Sequence, residues 1–320
     1  MINIKNLNKT YRSPIKTGNT IRNFFNREYK SSIALKDISF NIDKNELVGF
    51  IGPNGAGKTT TMKILAGILY PTSGEVSVFG YKPFQKNPKY LKQMAFLMGQ
   101  KNQLLWELPA TDAYKLNKEI YELSDTEYNK TLTELSELLE VKDFISQPVK
   151  TLSLGQRMRA ELIGALLHKP KVLFLDEPTI GLDIFAQTTI VKFIKEYQDR
   201  YGATIMLTSH YMQDVQRLAK RVILINRGEI MYDGKLQHLI QTYSKIKKVS
   251  IILSKEINPE KLKLQKNIIY QYQHPQLKIS ILKDDIEKVL RYILKEVDYI
   301  DMTIENESLE EIIKKSFNNI

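Results

Sequence analysis

A short apolar run, Glu46–Ile51, leads into the glycine-rich sequence Gly52-Pro53-Asn54-Gly55-Ala56-Gly57-Lys58-Thr59-Thr60. Glycine lets a turn point its backbone amides inward, and amides arranged in this way surround a dense anion such as phosphate. Helical spacing follows from Lys58 to Leu69, so the positive end of a helix dipole would face the same anion. The pattern predicts a nucleotide phosphate site in which Lys58 reaches the β- and γ-phosphates and Thr59 ligates Mg²⁺. The alternative is that the sequence matches the phosphate-loop pattern by chance and forms a glycine-rich turn that binds no nucleotide.

An apolar strand that ends in two acidic residues is the second candidate for chemistry. The run Lys171–Leu175 is followed by Asp176 and Glu177. Two acids at a strand end are ordinarily a solvated terminus, but beside a phosphate loop they can serve phosphoryl transfer. Asp176 would then hold the magnesium shell, and Glu177 would polarise the attacking water.

The elements that must position these residues alternate between strands and helices. Short apolar runs typical of buried strands occur at Glu46–Ile51, Val172–Leu175, Thr204–Thr208 and Val222–Ile225. Residues 85–168 show mostly helical spacing. Strands that alternate with helices predict an α/β fold built on a largely parallel sheet.

The order of the motifs resembles that of the ABC ATPase family, and the resemblance covers about residues 1–240. Its further markers are Tyr11, Gln100, Thr151-Leu152-Ser153-Leu154-Gly155-Gln156, Gly181-Leu182-Asp183 and His210. The resemblance implies that Gln100 contacts magnesium and a membrane partner, that His210 holds the γ-phosphate, and that Tyr11 stacks on adenine. It also implies the fold of a P-loop ABC cassette, with a mixed sheet core and a helical subdomain at about 85–168.

The same resemblance assigns some residues to a nucleotide bound by a second subunit, namely Ser153, Gly155, Gln156 and Asp183. Two chains would close head to tail on two ATP molecules. A homodimer is the preferred arrangement, because one chain carries both acids and the histidine and could make two competent sites by itself; a heterodimer is the alternative. The family's usual signature has glycine where this chain has Leu154, so the backbone there must avoid glycine-only dihedral angles.

Composition limits the classes of function. The chain has 320 residues and a net charge of +11, a balance that suggests an acidic partner such as nucleotide, nucleic acid or an anionic membrane face. Most of the excess lies in Arg12–Lys30 and Lys245–Lys266. The absence of cysteine excludes a disulfide framework and Cys-ligated zinc. No apolar run approaches the roughly 18 residues of a membrane span, so any membrane role would act from the surface or through a partner.

Two segments fall outside the cassette pattern. The basic residues 12–32 are interpreted as an inserted loop, either solvated or lying against an anionic membrane surface through Phe24 and Phe25. Residues 241–320 are predicted to form a small accessory C-terminal α+β appendage, ferredoxin-like in its order of elements. The appendage could regulate the cassette, hold the dimer together or pack on it.

The resemblance implies ATP hydrolysis coupled to transport, with ATP and Mg²⁺ at the site and a separate multi-span permease as partner. The subunit would be cytoplasmic and peripheral on the inner face of the cell membrane. The segment Trp106–Pro109, beside Gln100, is the predicted contact with the permease, and ordinary subdomain core is the alternative.

Export is the preferred direction, because the region Met98–Tyr121 and the ending Ser308-Leu309-Glu310 resemble cassettes of bacterial drug, antibiotic-resistance and polysaccharide exporters. One alternative is an ATPase associated with nucleic acid, which is disfavoured because the basic residues of Lys245–Lys266 lack interleaved stacking aromatics. The other alternative is a regulatory module that never transports.

Overall fold

The chain divides into two units, Met1–Lys235 and Leu236–Ile320. The structure is a computed structural model that describes residues 1–14, 29–99, 101–262 and 268–318. Gln100, Phe24 and Phe25 lie outside the described residues, so the expectations placed on them stay predictions. None of the helices in the described ranges combines the length and apolar character needed to cross a bilayer.

A three-stranded antiparallel sheet is formed by β1 (Ile2–Pro14), β2 (Tyr29–Ile42) and β4 (Ser73–Val78), in the order β2-β1-β4. Strands β1 and β2 stay paired as far as Pro14 and Tyr29, so residues 12–14 and 29–32 are strand. The interpretation of 12–32 as a loop was wrong for these two ends. The side chains at these ends are polar and exposed, so the sequence lacks the alternation of apolar residues that predicts a strand. The two segments pair nevertheless, because the hydrogen bonds of a sheet are made by backbone groups.

A six-stranded sheet forms the centre of the first unit. Its strands are β3 (Leu47–Ile51), β5 (Met94–Met98), β6 (Val172–Asp176), β7 (Thr204–Thr208), β8 (Arg221–Asn226) and β9 (Glu229–Lys235). In the order β5-β6-β7-β3-β8-β9 all neighbours are parallel except β9, which is antiparallel to β8. Every residue of β3, β6 and β7 is buried, which explains why their sequences are apolar apart from Asp176 and the two threonines that end β7.

The helices of the first unit follow the strands of this sheet or connect them. They are α1 (Lys58–Leu65), α2 (Pro88–Leu91), α3 (Ala110–Ile120), α4 (Asp125–Leu138), α5 (Leu154–Leu166), α6 (Ile184–Tyr201) and α7 (Met212–Leu218). Strand β5 lies inside the region 85–168 that was predicted to be mostly helical. Five apolar residues in a row cannot be told from a buried helical segment by periodicity.

The second unit is an antiparallel sheet with helices. Its elements are α8 (Leu236–Tyr243), β10 (Ile246–Leu253), β11 (Ile269–Gln273), β12 (Gln276–Leu282), α9 (Ile286–Glu296), β13 (Tyr299–Asn306) and α10 (Leu309–Asn318). The strand order β11-β12-β10-β13 is that of a ferredoxin-like sheet. Val289 and Ile293 of α9 pack on Val249, Ile251 and Ile279 of the sheet to form the core of this unit.

A carboxylate is buried on helix α5. Glu161 is only 2% exposed. Burial raises its pKa to about 7, although the Arg157 guanidinium and the Gln103 backbone N–H act in the opposite direction. A carboxyl group whose pKa is higher in the folded chain binds a proton that the unfolded chain releases, so this group reduces stability as the pH rises from about 4.5 to above 7.

The substitution Glu161→Gln removes this ionisation. We expect the free energy of unfolding to increase by roughly 3 kcal/mol at pH 8 and by less than about 1 kcal/mol at pH 5. Urea denaturation of the full chain at the two pH values measures both effects. The matched control is Glu75→Gln on the exposed surface of β4, which should change neither value. Equal effects of Glu161→Gln at pH 5 and pH 8 would contradict the assignment.

Candidate nucleotide-binding site

The predicted phosphate loop joins the buried strand β3 to helix α1. The Lys58 side chain is 5% exposed, and its ammonium donates to the carbonyl oxygens of Gly52 at 2.7 Å and Pro53 at 3.1 Å. Burial lowers the pKa of Lys58, and the negative charges of Glu177 and Asp176 oppose this effect. The lysine and both acids, which are distant in sequence, therefore interact electrostatically in one place.

Two glycines of the loop are required by their surroundings. Gly57 caps α1 with φ 111°, and a Cβ atom on it would lie 2.8 Å from the carbonyl oxygen of Ala34. A Cβ atom on Gly52 would lie 2.1 Å from the carbonyl oxygen of Ile225. Any side chain at either position would displace the loop, so the path of the backbone, and with it the direction of its amides, depends on glycine.

The two acids at the end of β6 are held by Thr208, which ends the neighbouring strand β7. The Thr208 hydroxyl donates to Oδ1 of Asp176 at 2.7 Å. The same hydroxyl accepts from the backbone N–H of Glu177 at 3.0 Å. Thr208 is fully buried, so water does not compete for these hydrogen bonds. One threonine thus positions both acids.

The backbone of Glu177 has φ 56°, a left-handed conformation that a non-glycine residue rarely adopts. Such a conformation costs on the order of 1–3 kcal/mol and is typical of functional sites. It is maintained by hydrogen bonds from Glu177 N–H to the Thr208 carbonyl and from Ile180 N–H to the Glu177 carbonyl. Gly99 packs against this turn, because a Cβ atom there would lie 2.0 Å from the carbonyl oxygen of Glu177.

His210 completes the acidic side of the site. Its Nε2 lies 2.8 Å from Oε1 of Glu177. Both residues line an open cavity of about 590 Å³ together with the phosphate loop. The described residues that line this cavity are Ala34, Asn54, Gly55, Gly57, Lys58, Thr59, Thr60, Glu177, Ile180 and His210. The structure therefore brings together the predicted phosphate-binding residues and the two predicted catalytic residues that it describes.

Tyr11 lies beside the phosphate loop. Its hydroxyl is 3.3 Å from Oγ1 of Thr60, and its ring is 39% exposed. The ammonium of Lys9 lies 5.2 Å from the centre of that ring. Strand β1 thus carries an exposed aromatic ring to the entrance of the site, as stacking on a base would require.

The signature-like residues lie at the start of helix α5 and are not among the described residues that line the cavity. Ser153 and Gln156 form a reciprocal cap, with Gln156 N–H donating to the Ser153 hydroxyl at 3.2 Å and Ser153 N–H donating to the Gln156 amide at 2.9 Å. Leu154 is the first residue of α5 and so adopts a helical conformation that needs no glycine. Asp183 caps α6 by accepting from the backbone of Phe185 and Ala186, each at 2.9 Å.

Two buried polar residues near the site received no role from the sequence. Thr208 ends the run Thr204–Thr208 two residues before His210, and a polar residue at the end of a buried strand is the signal that could have identified it. Asp214 is 2% exposed and accepts from the Thr179 hydroxyl at 2.8 Å and from the Gln187 amide at 3.0 Å. Asp214 thereby ties the segment after Glu177 to α6 and α7, which no sequence pattern indicated.

The residues predicted to hold magnesium offer the oxygen donors that this ion prefers. Thr59 contributes a hydroxyl and Asp176 a carboxylate, and both adjoin the phosphate loop. No cluster of three or more His, Cys, Asp or Glu side chains suited to a metal occurs in the described part of the chain. The donor set therefore fits Mg²⁺ held largely by nucleotide phosphates and water, with few protein ligands.

The strand–loop–helix phosphate site and the acids at the neighbouring strand ends define a P-loop nucleotide-binding protein. The profile of the ABC transporter family matches residues 35–180. The ABC transporter ATP-binding protein NatA of Bacillus subtilis (strain 168) is 32% identical over 209 residues, which are 65% of this chain and 85% of the relative. The chain belongs to the family of ABC transporter ATP-binding proteins.

Relatives also match beyond the cassette. The uncharacterized ABC transporter ATP-binding protein YcbN of Bacillus subtilis (strain 168) is 30% identical over 308 residues, or 92% of this chain and 96% of the relative. A dimeric ATP-binding cassette, solved in a post-hydrolysis state with bound ADP and Pi, has a TM-score of 0.62 and 26% identity over 74% of this chain and 99% of its own. Further relatives are named for zinc import and for linearmycin resistance.

Replacing Thr208 tests the hydroxyl that holds both acids. Thr208→Val keeps the shape of the side chain but removes the hydrogen bonds to Asp176 and to the Glu177 backbone. Since hydrogen bonds to charged groups contribute about 1.5–3 kcal/mol, we expect ATP turnover to fall roughly 10- to 100-fold. Steady-state hydrolysis at saturating ATP is the measurement. Thr208→Ser is the matched control and should retain most of the turnover; equal losses in both variants would argue against a role for the hydroxyl.

Proposed function

We propose that this chain hydrolyses ATP and drives a separate membrane permease, with two chains closed head to tail around two ATP molecules. The observation that carries the proposal is the position of the Glu177 carboxylate. It lies on the wall of the phosphate-loop cavity, fixed by His210 and by a strained backbone that Thr208 supports. An acid held in this way beside the phosphates can polarise a water molecule for attack on the γ-phosphorus.

Each residue at the site has a defined task in this proposal. The loop amides and the Lys58 ammonium bind the phosphates and balance their charge. Glu177 orients the water and accepts its proton as the bond from the γ-phosphorus to the β,γ-bridging oxygen breaks, giving ADP and phosphate. Mg²⁺, when bound, neutralises the phosphate oxygens, and Thr59, Asp176 and Gln100 are the residues proposed to hold it. His210 holds Glu177 and the γ-phosphate.

The position of the signature-like residues supports the proposed head-to-tail dimer. The phosphate-loop cavity is open. Ser153 is exposed at the start of α5, where helix N–H groups and a positive dipole favour an anion. A second chain that presents Ser153, Gly155, Gln156 and Asp183 would close the cavity on the γ-phosphate. The dimeric cassette with ADP and Pi supports this arrangement.

The proposed contact with the permease is an anchored apolar loop after β5. Leu105, Trp106 and Leu108 are 45%, 47% and 43% exposed. The backbone of this loop is fixed, because Lys150 N–H donates to the Trp106 carbonyl and Val149 N–H donates to the Leu108 carbonyl. Apolar side chains held out on a rigid loop are suited to a protein partner. Docking there would place the chain on the cytoplasmic face of the membrane.

Export remains the proposed direction. Its support is the resemblance of Met98–Tyr121 and of the Ser308–Glu310 ending to exporter cassettes. One relative is named for linearmycin resistance, which is compatible with export. Another relative is named for zinc import, which is the opposite direction.

The substitution Glu177→Gln tests the proposed mechanism. We expect ATP turnover to fall at least about 100-fold, because the amide cannot accept a proton. Nucleotide binding should persist, so size exclusion in ATP and Mg²⁺ should show a stable dimer that wild type forms only transiently. Turnover comparable to wild type would show that Glu177 is not the catalytic base.

The substitution Trp106→Ala tests the contact with the permease. In a complex reconstituted with a multi-span membrane protein that co-purifies with this chain, we expect ATP-driven transport to fall at least about tenfold, since a large apolar contact is removed. ATP turnover by the isolated subunit should be unchanged. Leu116→Ala, at a side chain 51% exposed on α3, is the control. Unchanged transport with Trp106→Ala would exclude the coupling role.

A further inference from the structure

A cavity of about 400 Å³ lies beside strand β5 and shares no described lining residue with the phosphate-loop cavity. Its wall is formed by residues of β5, α3 and α5 and of the loop that follows β5. Ile68 and Gln103 are exposed members of this wall, and Glu161, Asn117 and His168 also line it. We call this space the second cavity.

The Glu161 carboxylate on this wall is a buried charge with little compensation. Its side chain has no exposed area. The Arg157 Nε atom lies 3.5 Å from Oε1, and the Gln103 backbone N–H also acts on the carboxylate, but neither makes a hydrogen bond of normal geometry with it. A buried carboxylate without full compensation costs stability, and residues that carry such a cost are characteristic of functional sites.

The His168 imidazole is a second buried acceptor on the same wall. Burial lowers the pKa of His168 to about 4, so the ring is neutral at pH 7. Its Nε2 donates to the Met94 carbonyl at 3.1 Å, which leaves Nδ1 as an acceptor. This Nδ1 is buried and accepts no hydrogen bond from a described residue. The ring stacks on Tyr121 with 3.7 Å between the ring centres.

Two amide side chains add further acceptors to the wall. The Asn117 amide nitrogen donates to the Gly164 carbonyl at 3.0 Å, and the Gln103 amide nitrogen donates to the Phe96 carbonyl at 3.1 Å. The oxygens of both amides therefore remain to accept hydrogen bonds. A guest in the second cavity thus meets one negative charge and a wall in which acceptors predominate.

We propose that the second cavity binds an organic cation, an ammonium or guanidinium group on an apolar stem, with the Glu161 carboxylate as its counter-ion. Such a group supplies hydrogen-bond donors to the acceptors and a positive charge to the carboxylate, and the Tyr121 ring is suited to contact with it. A metal ion fits poorly, because the described residues offer no cluster of three acidic, histidine or cysteine ligands. The volume is within the range of small-molecule sites.

The cation has two possible sources with the same chemistry. It is either a free amine or guanidine, or the end of a lysine or arginine side chain of the permease. Binding of a free cation is measured on the isolated chain without nucleotide. Failure of this inference therefore leaves the proposed ATP hydrolysis untouched.

Affinity for the cation should follow the ionisation of Glu161, because the cation stabilises the charged carboxylate. Burial raises the pKa of Glu161 to about 7, so the ionised fraction falls roughly tenfold from pH 8 to pH 6. The neighbouring groups do not change charge in this interval. The pKa of His168 is lowered to about 4, burial raises the pKa of Tyr121, and the Arg157 guanidinium keeps its charge.

The experiment uses the full chain and two probes of the same shape, n-butylguanidinium and its uncharged analogue n-butylurea. Isothermal titration calorimetry without nucleotide gives the dissociation constants at pH 8 and pH 6. Glu161→Gln removes the charge and keeps the shape of the side chain. The matched control is Glu75→Gln, which removes one exposed charge from β4. Binding of a fluorescent ATP analogue reports whether each variant is folded.

We expect the wild type and Glu75→Gln to bind n-butylguanidinium at least about tenfold more tightly than n-butylurea at pH 8. Their affinity for n-butylguanidinium should fall roughly tenfold at pH 6. Glu161→Gln should bind it at least about tenfold more weakly than the wild type at pH 8, with no dependence on pH. Equal affinities of the wild type for the two probes, equal affinities of the wild type and Glu161→Gln, or no binding up to about 20 mM would overturn the inference.

Titration of the complex with the permease distinguishes the two sources of the cation. Binding of n-butylguanidinium to the complex as tightly as to the isolated chain would show that the cavity serves a free cation. Loss of this binding in the complex, together with weaker assembly of the complex by Glu161→Gln, would show that a basic side chain of the permease occupies the cavity. Loss of binding with unchanged assembly would overturn the inference for the working complex, since the permease would then cover the cavity without supplying a cation.

Discussion

The position of both acids depends on one hydroxyl group, that of Thr208, which donates to Asp176 and accepts from the backbone of Glu177. This arrangement exists because β6 and β7 run parallel with Asp176 directly opposite Thr208. A slip of one residue between these strands would turn the Thr208 side chain to the other face of the sheet and leave a buried carboxylate without its donor. The geometry of the site therefore depends directly on the register between β6 and β7 in the central sheet.

The parts of the fold that were predictable are those with local signals. Thr204–Thr208 was predicted with the boundaries that β7 has, and the phosphate loop is flanked by β3 and α1 as its pattern requires. Strand β9 was missed, since it is half-exposed and is defined by its pairing with β8, to which it is joined by a short turn. Thr208 likewise acquires its role only from the neighbouring strand, and no pattern within one segment shows which strands become neighbours.

The starts of two helices also show which features the local sequence predicts and which it does not. Ser308 and Glu311 have the three-residue spacing from which we predict a capping box, and its reciprocal hydrogen bonds of 3.3 Å are present. Asp284 and Glu287 have the same spacing, which predicts a capping-box-like start for the helix there. This second prediction is wrong, because a 3₁₀ turn, Lys283–Asp285, precedes α9 and the N-cap of α9 makes no side-chain hydrogen bond. Spacing identifies residues able to cap, whereas the preceding backbone decides whether they do so.

Gly99 brings the end of β5 into direct backbone contact with the turn at Glu177. Its N–H donates to the Asp176 carbonyl at 2.9 Å, and it has no side chain to keep the Glu177 carbonyl at a distance. The end of β5 and the strained turn at Glu177 are thus two stiff pieces of backbone in direct contact. Because no flexible side chain lies between the two backbones, a displacement of Gly99 would act directly on the Glu177 carbonyl, and a displacement of that carbonyl would act directly on Gly99.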